Sequence, residues 1–178
     1  FEQKVFLKKS LWSNLLNYMG FAGYLNPFTL ESNINLNIPK LNFIVTAAHE
    51  MAHQVGFASE SEANFIAFIT CFKNSDPHIR YAGLTFALNY CYSNLLKIDP
   101  VKAKKYMKFL NPGVMKNYKE ISMFWNQYKN PFEPVIKKSY DSYLKANGQS
   151  MGIESYDAMV GLVIGYVKNN NLIEYKFD

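Results

Sequence analysis

Several kinds of residue are scarce in this chain, and each scarcity removes a class of function. There is one arginine, Arg80. Nucleic-acid-binding domains gather arginine and lysine on a recognisable module; no such module is present, so no nucleic-acid partner is expected. There are two cysteines, Cys71 and Cys91, twenty positions apart. They exclude a CxxC redox motif and a cysteine-rich zinc framework, and leave open two buried thiols or one disulfide between neighbouring helices. No apolar run reaches the roughly 18–20 residues of a membrane-spanning helix. No internal repeat or low-complexity tract appears, which excludes a solenoid. Charged residues make up only 19% of the chain, against 49% apolar and 16% aromatic. That balance is too apolar for a disordered segment, and 178 residues suffice for one domain with a real core.

The charge that is present is unevenly placed. The net charge is +5. Much of the excess lies in Lys97, Lys102, Lys104, Lys105, Lys108, Lys116 and Lys119, with Asp99 and Glu120 the only acids in that run. Such a stretch is either a solvated lysine face or one that meets an anionic surface such as a membrane or cell wall. The chain begins at Phe1 rather than Met, so it is expected to be part of a longer protein with any signal or anchor upstream.

Periodicity and punctuation predict a mainly helical, α+β domain spanning residues 1–178. Residues 4–19 carry Leu7, Leu11 and Leu15 at helical spacing, beside Trp12 and Tyr18; Gly20 and Gly23 end that helix. Asn26-Pro27 marks a turn. Residues 28–36 then alternate, with Phe28, Leu30, Ile34 and Leu36 on one side and Thr29, Glu31, Asn33 and Asn35 on the other. This predicts a half-exposed edge strand, able to add an extended peptide by strand pairing. Further helices are predicted from a few residues after Pro39 to Gly56, over 60–72 (Ser59 as N-cap, Glu62 completing a capping box), from Pro77 to about Leu96, from Asp99-Pro100 to Asn111, over 114–128, over 135–146 with Asn147-Gly148 as cap, and over 153–168.

The chemistry resides in His49-Glu-Met-Ala-His53. Two histidines four apart share one face of a helix, so both imidazoles can turn a nitrogen toward one cation. Glu50 lies about 100° round and reaches the same cation's open side through a water. Residues 43–48 contain no helix breaker. A zinc hydrolase needs a third protein ligand and an open fourth position. A third histidine six places after His53 would make the three-histidine class, but that position is Ser59. Glu60 and Glu62 remain, at the start of the next helix. Glu60 is the expected ligand and Glu62 the alternative: Asn64 shares Glu60's face and can hydrogen-bond a liganding histidine. The predicted cofactor is Zn²⁺, the base Glu50, and the candidate oxyanion donors His78, Arg80, Tyr81 and Tyr156.

Taken together, Asn26-Pro-Phe-Thr-Leu-Glu31, His49-Glu-Met-Ala-His-Gln-Val-Gly-Phe57, Glu60-Ser-Glu-Ala-Asn-Phe65, Arg80-Tyr-Ala-Gly83 and Ser155-Tyr-Asp157 resemble a bacterial family of membrane-anchored zinc metallopeptidases, usually filed as a domain of unknown function. The Glu60-Ser-Glu-Ala-Asn64 helix is also similar to the gluzincin pattern Glu-x-x-x-Asp, with Asn64 in place of the acid. The resemblance implies a zincin-like fold, Glu60 as ligand, a peptide or protein substrate, and a place on the extracytoplasmic face of a bacterial membrane, anchored by segments absent from this chain. The competing expectation is a catalytically silent module that holds a peptide or cell-envelope partner in the same cleft.

Overall fold

The computed structural model describes residues 5–146 and 156–172. They form, in order, β1 (Leu7–Lys9), α1 (Ser13–Met19), β2 (Gly23–Leu25), β3 (Ser32–Ile34), α2 (Lys40–Gln54), α3 (Glu60–Phe72), α4 (Pro77–Ile98), α5 (Pro100–Met107), α6 (Pro112–Gln127), α7 (Glu133–Ala146) and α8 (Tyr156–Asn169). The domain is mainly helical, with a small sheet placed before the motif helix α2. Among the described residues no helix is long and apolar enough to cross a membrane.

Three helices begin on the same local signal. Asp76, Asp99 and Asn111 each precede a proline, and each side chain accepts a hydrogen bond from a first-turn backbone N–H. The proline supplies a preset φ where no N–H is needed, and the Asx side chain satisfies one of the exposed donors. Such punctuation explains why the helical boundaries from residue 60 onward agree closely with the sequence reading. Ser59 differs: it has extended N-cap geometry but no capping bond, because its hydroxyl pairs with that of Ser61 at 2.8 Å. The cap predicted at Asn147-Gly148 lies outside the described residues.

The N-terminal segment departs from its periodicity. Residues 7–9 are strand, and the helix starts only at Ser13. The side expected to be buried faces outward, Leu11 being 97% exposed, while Ser13, Leu16 and Asn17 are buried. The predicted strand 28–36 shrinks to Ser32–Ile34, since Leu30 adopts a positive φ of 53° that ends the extended run. β3 is the centre of the sheet, not its edge. It runs parallel to β1 and antiparallel to β2 in the order β1-β3-β2. Polar residues in and just after β3 point inward because each finds a partner. Ser32 donates to the Glu50 carbonyl at 2.7 Å, and Asn35 donates to Asn17 Oδ1 at 2.6 Å and to the Phe21 carbonyl at 3.2 Å. A buried amide so satisfied costs little, so hydrogen bonding overrides the hydrophobic alternation here.

The helical core lies between α2, α3, α4 and α8. One cluster joins Val45 and Ala48 of α2 to Ala67 and Cys71 of α3 and Ala82 of α4. A second joins Phe68 to Ala87, Met159 and Val163, with Phe65, Ile69, Phe72 and Tyr166 packed around it. Most residues at the first crossing are small, so the backbones approach closely. The limit is reached at Gly83, where an added Cβ would sit 2.6 Å from Cys71 Cβ. Both cysteines are free, and burial pushes the Cys71 thiol up to about 11.

Gly83→Ala is therefore expected to destabilise the fold by about 1–3 kcal/mol through overpacking. Thermal unfolding measures this, and an unchanged midpoint would show that α3 and α4 are not in tight contact. A buried thiol with a raised pKa is a poor nucleophile. Cys71 is expected to resist iodoacetamide at neutral pH until the chain unfolds, as peptide mapping of the alkylated protein would show; rapid native labelling would contradict its burial.

Candidate metal centre

His49 and His53 lie one turn apart on α2, with their Nε2 atoms 3.0 Å from each other. α2 ends at Gln54, and Gly56 follows with a φ of 108°, a backbone state that glycine adopts without strain. The chain reverses there, and α3 opens on Glu60. The Glu60 carboxylate faces both imidazoles: Oε2 is 3.3 Å from His49 Nε2, and Oε1 is 3.6 Å from His53 Nε2. The same reversal brings the Phe57 carbonyl to 2.7 Å from His53 Nδ1. A carbonyl only accepts, so His53 carries its proton on Nδ1 and presents a bare lone pair on Nε2. Orienting a liganding histidine through its outer nitrogen is the usual supporting contact at metal sites.

These spacings suit a metal ion. Donors about 2.0–2.1 Å from a tetrahedral centre stand roughly 3.3 Å from one another, and the three distances, 3.0, 3.3 and 3.6 Å, bracket that value. His49, His53 and Glu60 form a group that can hold a metal ion. The electrostatics agree. Burial pushes the Glu60 carboxyl up, but the hydrogen bonds and charges of the two histidines outweigh it and hold the group well below the usual carboxylate range. The anion is thus the form the site favours. For His53, burial works downward, and Glu60, the Phe57 carbonyl and Glu50 together raise it.

Glu50 is buried, 5% exposed, and burial pushes its carboxyl up to about 7 against the opposing charges of His49 and His53, with Glu60 adding to the rise. It is sheltered by β2. A Cβ on Gly23 would lie 2.8 Å from both Glu50 Cγ and Oε1, so a side chain there would displace the carboxylate. Gly23 was legible only as a helix terminator; its close approach to Glu50 depends on the sheet.

The cluster opens into a cavity of about 620 Å³ lined by α2, α4, α6 and the stretch from Gly20 to Gly23. Tyr140 of α7 also lines it, and its hydroxyl donates to Glu60 Oε1 at 3.0 Å. No spacing in the sequence ties residue 140 to residue 60, so this group was missed. The donors proposed from sequence lie elsewhere. His78 and Arg80 are exposed, Tyr81 accepts from Asn117 at 2.7 Å, and none of the three lines the cavity. Tyr156 opens α8, but its side chain lies outside the described residues. Asn64 lines the cavity, while the outer nitrogen of His53 is served by Phe57. The outer nitrogen of His49 is buried with no partner among the described residues. Glu62 is exposed and is not in the cluster.

A family model described as a protein of unknown function, DUF3810, matches residues 2–164. The chain belongs to that family. No curated protein and no solved structure matches this DUF3810 chain, so the reading of its centre rests on the geometry above.

Glu60→Gln removes the anion but keeps the shape. It is expected to weaken retention of a divalent metal ion by at least about 100-fold, more than the loss of a supporting hydrogen bond costs. Elemental analysis after dialysis against graded chelator measures it; equal retention by the variant would exclude Glu60 as a ligand.

Proposed function

We propose that this DUF3810 domain is a zinc-dependent metallopeptidase of the gluzincin type, with His49, His53 and Glu60 as ligands and Glu50 as general base. The observation that carries the reading is the convergence of those three donors, from two helices, beside a buried carboxylate at the mouth of a cavity. Bound zinc supplies a Lewis acid for the scissile carbonyl and lowers the pKa of a water toward neutrality. Glu50 takes the proton of the attacking water and passes it to the leaving amine, a role suited to a carboxyl whose pKa stands near 7. Tyr140, whose hydroxyl donates to Glu60 Oε1 at 3.0 Å, is assigned as the donor that turns to the carbonyl oxygen as negative charge gathers on it. A silent binding module has no use for a buried Glu50 kept clear by a glycine.

Peptide binding moves to a different strand from the one predicted. β3 is paired on both sides, so it cannot accept an added strand. β2 is an edge, and the residues leading into it line the cavity; an extended peptide paired there passes the Glu50 carboxylate. Apart from His49, Glu50 and Glu60, the described residues lining the cavity are uncharged, apolar ones such as Val45, Ala82, Phe86 and Ile121 standing beside polar ones such as Asn42, Thr46, Thr85 and Asn89. An unpaired charge is costly in such surroundings, so the substrate residue seated there is uncharged.

Glu50→Gln is expected to keep its zinc and lose about 10²–10⁴ in kcat. Tyr140→Phe is expected to lose about 10²–10³ in kcat with little change in KM. A quenched-fluorescent peptide library screened with the zinc-loaded protein reads both. Equal cleavage by wild type and Glu50→Gln would sink the mechanism.

A further inference from the structure

The positive charge of the chain is confined to one stretch. From Lys97 to Lys119 there are seven lysines and one acid, Asp99, while the remainder of the chain carries twelve basic and thirteen acidic residues. In the fold this stretch is the end of α4, all of α5 and the first half of α6. Asp99 is already engaged: it caps α5 and meets Lys102 at 3.3 Å. Lys104, Lys105, Lys108, Lys116 and Lys119 are exposed, and no described carboxylate forms an ion pair with Lys104, Lys105 or Lys108.

Between these lysines stand apolar side chains that the fold leaves outside. Val101 is 79% exposed, Phe109 76% and Ile98 75%, and Tyr106 is also exposed. In α5 only Ala103 is buried. Val101 and Lys105, one turn apart, lie on the side of the helix away from Ala103. The outer side of α5 therefore carries Val101 next to Lys105, with exposed Ile98 just before the helix and exposed Phe109 just after it.

We propose that this face docks on an anionic phospholipid bilayer. The apolar side chains enter the boundary between headgroups and acyl chains, and the lysines meet the lipid phosphates. Both halves of the pattern need a partner, and a bilayer provides both at the right depths. A nucleic acid would neutralise the lysines but offers no hydrocarbon to Ile98 and Val101. The docking does not depend on the peptidase reading.

The test is co-sedimentation of the chain with phosphatidylcholine vesicles containing about one-third phosphatidylglycerol, set against pure phosphatidylcholine. At least about tenfold stronger partitioning onto the anionic vesicles is expected, falling as salt screens the lysines. The variant Lys104→Ser/Lys105→Ser/Lys108→Ser and the variant Val101→Asp/Phe109→Asp are each expected to lose about tenfold, and every substituted position is exposed, so circular dichroism should be unchanged. The proposal is overturned by absent binding to anionic vesicles, by equal binding to pure phosphatidylcholine, or by lysine and apolar variants that bind like wild type. It is also overturned if only the lysine variant loses binding, or if a single-stranded oligonucleotide competes as well as the vesicles, since the face would then be a general polyanion site.

Discussion

The structure depends on one tight reversal between two helices. α2 delivers two imidazoles on one face, and α3 delivers a carboxylate from its first residue. Only the turn through Gly56 makes them meet, with donor atoms 3.0–3.6 Å apart. Donor atoms gathered in this way form a group that can hold a metal ion. The turn also supplies the Phe57 carbonyl that fixes the His53 tautomer. Reversal, donor cluster and proton placement are thus one local arrangement rather than three.

The remaining elements serve that arrangement. The α3–α4 crossing over Gly83 and the Phe68–Met159 cluster hold α3 in place. The sheet holds α2 from the other side, through Ser32 on the Glu50 carbonyl and Gly23 against the Glu50 side chain. The role proposed for Glu50 requires such rigid neighbours, because slack between the carboxylate and the three donors would lower the fraction of time the geometry is productive.

Legibility followed local signals. α3 was readable residue for residue over 60–72, and the helices after Asp76-Pro77, Asp99-Pro100 and Asn111-Pro112 announce themselves through cap and proline. The convergence of His49, His53 and Glu60 was also readable, because helix periodicity and a short connection fix it. Residues 5–36 were readable only in part: a helix does end at Gly20 and a strand does lie within 28–36, but what they bury was not foreseen. Periodicity assumes that apolar residues go inside, but here Asn17, Ser32 and Asn35 are buried in a hydrogen-bonded network while Leu11 and Phe28 face water. Tyr140 was invisible for another reason: its place at Glu60 is set by the path of α7, which no short-range pattern encodes.

The account stands or falls on whether the three donors hold one zinc ion. Crystals of the zinc-loaded chain, measured on both sides of the zinc absorption edge, test this most directly. The predicted result is one strong anomalous peak about 2 Å from His49 Nε2, His53 Nε2 and a Glu60 oxygen, open toward the cavity on its fourth side. An empty cluster, or zinc bound only elsewhere on the surface, would contradict it.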